Sequence, residues 1–496
     1  MRLWSFHRHG LALAALLLAV LATACGGAEV AVDVRSPQMT TIVEAFVDDE
    51  VSALATIDSM GDPLAPGLGN GGYDVALYDL AIEWNPEDRL LASEVLITAT
   101  AKEDLVAFHL DFEGSIVRGV TVDGIDAEYL RDEAEMVITP ATPIVAGNKF
   151  QTTVEYLTDP AGASSRSELT NGRVGWIDTT DPAWYVRSAP DGAHLWVPSN
   201  DHPWDPAMFT TELTMPDGTV AVASGAFGRE QRGIGQTTTR WETSAPIPTH
   251  AMTVILGNLV IVDDPRGSDA SGVELRHLLP PDLADDMPAV LHKADDMILF
   301  LEQRLGRFPY DAWGVAVVAD SAAAKPANSW TMLTRTELEA NDVELRMMRD
   351  LASHYFGHAV GIESWSDIWI SEAIPTYMQW LWLQGSVGRS GLDVTIAAAR
   401  AKVNNAAWPA PDEPRPGDVY IGSGPLRGAL FLHALSLRIG QSDFFDVIST
   451  AYRDYDGATI STNDFILLVE DVTGERIRAF ADAWFNRDPL PGFPDA

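Results

Sequence analysis

From Tyr73 to about Val262 the chain alternates apolar and polar residues in short runs. "DVALYDLAIEW", "ASEVLITATA", "LVAFHLDF", "FQTTVEYL", "FTTELTM" and "AMTVILGNLVIV" all follow this pattern. A period of two places every second side chain on one face, which predicts half-buried strands. Turn-forming stretches, "NPED", "DGID", "AGNK" and "MPDG", separate them. So many short strands predict a large antiparallel β-domain. Near Pro280 the texture changes. "DLADDMPAVLHKADDMILFLEQRLG" carries apolar residues at helical spacing and ends on Gly306. After a short strand, "GVAVVA", helices are predicted over Glu337–Phe356, Glu372–Gln384, Gly391–Ala407, Pro425–Ile439 and Ser461–Trp484. The chain closes on a proline-rich tail. No internal repeat is visible. The pattern predicts an α+β protein, with a β-domain followed by a mainly helical one.

Composition narrows the function classes. The 496 residues are 46% hydrophobic, which fits a globular chain with a large core. Lys plus Arg is 33 against 71 for Asp plus Glu, a net charge of −38. Such a surface repels nucleic acid and anionic lipid, so phosphate-binding functions are set aside. The acids are spread along the chain rather than run in blocks, which reads as a solubility surface.

The N-terminus "MRLWSFHRHGLALAALLLAVLATACGG" has Arg2 and Arg8, then an apolar run from Leu11 to Ala22. The run is short for a bilayer span and ends in small residues, the pattern of an export signal. Cys25, the chain's single cysteine, stands where cleavage is expected and has no partner for an internal disulfide. "LATAC" resembles the bacterial lipoprotein signal, although Ala22 holds the place usually taken by leucine. The alternative is an ordinary secretory signal with an incidental cysteine. Lipidation at Cys25 implies an exported protein anchored at the outside of the cell membrane without spanning it. Residues 1–25 are assigned to the signal, 26–72 to a tether, 73–280 to the β-domain and 281–496 to the helical domain.

The chemistry concentrates in "RDLASHYFGHAVGIESWSDIWISEAIPTYMQWLW", Arg349 to Trp382. His354 and His358 are four apart, and Glu372 follows. Zinc proteases carry H-E-x-x-H on a helix because residues four apart share a face and reach one metal. The wider text resembles the zinc aminopeptidase (gluzincin) family of aminopeptidase N and leukotriene hydrolase. "SAPDGAHLWVPSNDHPWDPAMFTTELTMPDG" is similar to the signature of that family's β-domain, and "FLEQRLGRFPYDAW" to the entry into its catalytic domain. "SWSDIWISEAIPTYMQWLW" resembles W-x-D-x-W-L-x-E-G-F-A-x-Y. "RGALFLHALSLRIG" and "TNDFILLVEDVTGERIRAFADAWF" resemble the C-terminal helices. The resemblance covers nearly everything from Tyr73 onward. It implies a thermolysin-like helical domain after the β-domain, without the long helical-repeat domain of larger members.

The family's motif continues from H-E-x-x-H through eighteen residues to a glutamate. Counting back from Glu372 places the second histidine at Ser353, the catalytic glutamate at Asp350 and the first histidine at Arg349. "LASHYFG" then aligns with the family's "LAHQWFG". Glu372 is the one ligand retained. Serine ligates zinc poorly, and a guanidinium has no free lone pair. The glutamate that binds the substrate's amine is replaced by Asn328 in "KPANS". The tyrosine that stabilises the tetrahedral intermediate is replaced by Pro425 in "PLRGA", with Tyr420 five residues upstream. A further acidic amine anchor falls on Ala189.

A zinc site moved onto His354 and His358 is disfavoured. Five residues along a helix rotate the motif by about 140° and advance it about 7.5 Å, away from Glu372. Gly357 suits a helix end, and Tyr355 stands where a base is needed. One packed and one surface histidine is the expectation. Asp350 with His354 and Glu372 is a weaker metal alternative, because its face is rotated about 100°. Trp365, Trp369, Tyr377, Trp380 and Trp382 read as core rather than as a ligand box, and Pro375 is placed near the first turn of its helix.

The resemblance and its losses together imply a non-catalytic homologue that kept the peptide cleft. It is expected to need no cofactor and to bind a peptide or an envelope protein. The alternative is an active zinc aminopeptidase with displaced ligands. A zinc-independent hydrolase lacks a nucleophile–base pair in the sequence. An Arg349–Glu372 ion pair, with Ser353 or Asp350 as further partners, is expected where the metal would sit.

Overall fold

The computed structural model describes residues 60–494 apart from 86, 178–182, 265–270, 320–325 and 407. The export segment, Cys25 and the tether before residue 60 lie outside the described residues. Strand Tyr73–Asn85 shows why the first sheet forms. Tyr73, Val75, Tyr78, Leu80 and Ile82 are buried while their neighbours reach solvent. It pairs antiparallel with Leu90–Ala101, which pairs in turn with Lys149–Thr158. Its other edge takes Met208–Pro216 in parallel. This departs from the all-antiparallel expectation, because the chain builds a second sheet before returning to the first. The eight-stranded sheet is completed by the Ala226–Arg232 and Gln236–Glu242 hairpin at one end, and by Ile116–Val122 with Ile125–Asp126 at the other. The second sheet has five strands and carries Arg173–Ile177 beside Ala183–Arg187.

Two boundaries differ from the sequence assignment. Strands Val260–Asp263 and Glu274–Leu279 were placed in the β-domain. They pair instead with Ala312–Val317 and Trp330–Leu333 in a four-stranded sheet of the following domain. The sheet that leads into the helices therefore begins at Val260, ahead of the position 280 where the texture of the sequence changes. Residues 60–72, assigned to the tether, are packed onto the fold. Asp62 is buried, accepts the Trp365 N–H at 2.8 Å and meets His202 Nε2 at 3.0 Å.

The helices form where apolar periodicity demands burial, but end where turn chemistry permits. Met297, Ile298, Leu301 and Leu305 make the buried stripe of Ala294–Leu305, which stops at Gly306 with φ of 110°. The predicted Glu337–Phe356 helix is two pieces, Arg335–Leu338 and Val343–Ser353. The predicted break after Gln384 is present: Gly388, with φ 72° and ψ 179°, is non-helical and divides the run Ile368–Asn405 into two helices. The first of them starts at Ile368, so Pro375 sits in its third turn rather than near the first. Pro425 lies in a π-turn, Ser423–Arg427, that leads into the helix Gly428–Ile439. The predicted Ser461–Trp484 helix is interrupted at Gly474, φ 71°, giving Thr462–Thr473 and Arg478–Asn486. Trp365, Trp369, Tyr377 and Trp380 are buried, and Trp369 meets Phe431, Phe465 and Phe485 edge-on. Trp382 is half-buried. Among the described residues no helix is long and apolar enough to cross a membrane.

Candidate functional site

The Val343–Ser353 helix buries Met347, Met348, Leu351 and Ala352 in the core. The opposite face is set by spacings of three and four, which bring Arg346, Arg349, Asp350 and Ser353 together. All four line a cavity of about 430 Å³. Its remaining walls come from Arg173 and Val174, Arg187 and Ala189, Pro326, Gln379, and the Tyr420–Ile421 loop. Strands of the β-domain therefore face the helix across one cleft.

Glu372 enters from the Ile368–Asn405 helix, 6% exposed. Arg349 Nη2 donates to Glu372 Oε2. The pair is charge-assisted and planar groups meet, which suits a guanidinium better than an ammonium. Ser353 does not join it. Its Oγ donates to the Arg349 carbonyl at 3.1 Å, a contact within its own helix. Asp350 lies 3.9 Å from Arg346 Nε, and Arg346 also bonds Glu337.

The two histidines have other duties. His354 Nε2 accepts the Ser329 N–H at 3.1 Å, and its Nδ1 donates to the Asp350 carbonyl at 2.9 Å. Both ring nitrogens are thus engaged by backbone. Burial pulls its pKa down to about 4, so it is neutral at pH 7. His358 follows Gly357, φ 123°, beyond the helix end. It is buried too, which corrects the expectation of a surface histidine. Burial, then the nearby His354 and His250, hold its pKa well below the usual histidine value. The chain folds back after Ser353 and carries His358 inward, with the His354 and His358 rings 4.7 Å apart.

Asn328 is fully buried, with its backbone N–H on the Ala251 carbonyl at 2.7 Å and its Oδ1 accepting from Ser329 Oγ at 3.2 Å. It does not line the cleft; Pro326 does. Pro425 is likewise off the lining, whereas Tyr420 reaches it. Tyr420 also lines a small adjoining cavity of about 30 Å³ with His250, Ser353, His358 and Glu372. Burial, followed by Glu372 and Asp191, pushes the Tyr420 hydroxyl well above the usual tyrosine value, so it stays protonated. Sequence reasoning missed Arg173, Arg187, Arg346 and His250. The helical spacing from Arg349 back to Arg346 was a usable signal. Arg187, two residues before Ala189, was another.

The zinc ion that this fold implies does not fit these residues. Its retained carboxylate is neutralised by Arg349, Ser353 is turned to backbone, and His354 has no nitrogen free. Among the described residues no three His, Cys, Asp or Glu side chains are placed to hold a metal ion.

A β-domain followed by a helical domain, with a glutamate helix facing the helix of the altered motif, defines the gluzincin aminopeptidase architecture. The sequence pattern described as "Peptidase family M1 domain" matches residues 311–484. Aminopeptidase N of Lactococcus lactis is 23% identical over 461 residues, covering 84% of this chain and 50% of that protein. This chain thus spans about half the length of that relative. An M1 zinc metallopeptidase mutant from Deinococcus radiodurans, solved with a Tyr-Ser-Ala substrate, superposes with a TM-score of 0.79 at 27% identity, covering 88% of this chain and 99% of that one. Yeast LTA4 hydrolase shares the fold, with a TM-score of 0.69 at 18% identity, over 85% of this chain and 69% of its own. The chain belongs to the M1 family of gluzincin aminopeptidases.

Proposed function

We propose that this M1 homologue is catalytically inactive and uses its cleft to bind a peptide or a peptide segment of an envelope protein. The observation that carries this reading is the Arg349–Glu372 ion pair. A guanidinium neutralises the carboxylate that the family directs at zinc, so the site is stable as it stands. Without zinc, a water's pKa is not lowered from about 15.7 toward about 7, and Asp350 has no activated water to deprotonate. The Deinococcus relative's complex with Tyr-Ser-Ala supports a peptide as the class of ligand. Export and lipidation at Cys25 would hold the protein at the outer face of the cell membrane, and they rest on the N-terminal sequence alone. Turnover of aminoacyl-anilides by purified protein, with and without a chelator, tests the reading. No chelator-sensitive turnover is expected. Chelator-sensitive turnover that survives Ser353→Ala would establish an aminopeptidase with displaced ligands instead.

A further inference from the structure

The cleft is cationic on a chain of net charge −38. Arg173, Arg187, Arg346 and Arg349 line it, against the single carboxylate of Asp350. Two of the arginines are answered: Arg346 by Glu337 and Arg349 by Glu372. The other two are not. Arg187 is 6% exposed, yet no carboxylate pairs with it among the described residues. Its Nη1 donates to the Arg173 carbonyl at 2.9 Å, its Nη2 to the Tyr185 hydroxyl at 2.6 Å, and its Nε has no partner. The Tyr185 ring, 5.7 Å from the guanidinium carbon, gives only partial compensation. Arg173 is exposed, and its side-chain nitrogens bond the Ser164 hydroxyl at 2.9 and 3.1 Å. A buried guanidinium without a counter-ion is costly, and it is retained most simply where an anionic ligand completes it.

The amine-binding side has changed in the opposite sense. The two positions that the family resemblance assigns to acidic amine anchors are Ala189, which lines the cleft, and Asn328, which does not. A protonated peptide N-terminus entering here meets four arginines and one carboxylate, Asp350, which already faces Arg346 at 3.9 Å.

We propose that the cleft binds a short peptide through a carboxylate seated on Arg187 and Arg173. The carboxylate is either the peptide's C-terminus or an acidic side chain. This rests on the reading of the cleft as a peptide site and gives that site its ligand chemistry. A planar anion matches a guanidinium that lines the cleft and whose buried Nε has no partner. The Arg187 partners already present are neutral, so the bound state brings together opposite charges without breaking an ion pair.

Calorimetric titration of the full chain tests this with four N-acetylated tripeptides of one backbone. One is a neutral free acid, one its C-terminal amide, one an amide with a central aspartate, and one that amide with asparagine. Inorganic phosphate serves as a small-anion control. The free acid, the aspartyl amide or both should bind, and which one does identifies the source of the carboxylate. The neutral amides should bind at least about tenfold more weakly. Arg187→Gln should weaken carboxylate binding by a similar factor, and Arg187→Lys by less. Because Arg187→Gln removes an uncompensated charge, its melting temperature should stay level or rise. If it fails to fold, the comparison of acid with amide on the unaltered chain still decides. Equal affinity for acids and neutral amides, binding of phosphate alone, or no binding by any peptide would overturn the proposal. The last result leaves the non-catalytic reading standing. Carboxylate preference together with chelator-sensitive turnover would do the reverse.

Discussion

Removing Arg349 isolates what the ion pair does. Glu372 sits with its side chain 7% exposed and accepts from Arg349, whose side chain is 30% exposed. Deleting one partner of a fully buried pair costs about 3–5 kcal/mol, because the remaining charge is left desolvated. Partial exposure of Arg349 lets water reach part of the vacated space. The expected loss for Arg349→Ala at pH 7 is therefore about 2–3 kcal/mol. Glu372→Gln in the same background should recover much of it, since the neutral amide needs no counter-charge. Urea unfolding at pH 7, followed by tryptophan fluorescence, reads the midpoints of the unaltered chain and both variants. A loss under about 0.5 kcal/mol for Arg349→Ala would refute the claim that Arg349 is what makes the buried Glu372 tolerable.

The pH response of His354 is the second expectation. Its folded pKa of about 4 lies below the unfolded value of about 6.5, so its contribution is present above pH 6.5 and is lost as pH falls toward 4. The linkage amounts to about 2 kcal/mol at pH 5, and His354→Phe should remove it, flattening the acid limb of stability; an unchanged limb would count against a neutral, backbone-bonded ring. Arg349→His with Ser353→His restores two imidazoles four apart opposite Glu372. That variant should take up zinc measurably in competition with a chromogenic chelator, and failure would mean that the helices no longer present these positions to one point.

Much of the architecture was legible because it follows from burial. Alternation gave the strands of the first sheet, and several separated motifs in family order gave the gluzincin scaffold. Pairing was less legible. The parallel junctions of Tyr73–Asn85 with Met208–Pro216 and of Glu274–Leu279 with Ala312–Val317 are non-local, and alternation does not say which strand is the neighbour. Helix ends were blurred for a similar reason. Gly474 breaks a run that is periodic on both sides and was read as one helix, whereas the break expected after Gln384 falls at Gly388. At the site, register from Glu372 located Arg349, Asp350 and Ser353 on one helix. His358 was misjudged because its burial depends on a backbone reversal at Gly357. Arg187 carried no local signal that its charge would go unanswered, because the answer depends on every wall of the cleft.

An ion pair, Arg349 with Glu372, stands where the family resemblance places a metal. Zinc content of the purified, unaltered chain, measured by elemental mass spectrometry after dialysis against zinc, tests it most directly. Far less than one zinc per chain is predicted, with a thermal midpoint unmoved by chelator. One tightly held zinc per chain, whose removal lowers that midpoint, would contradict it.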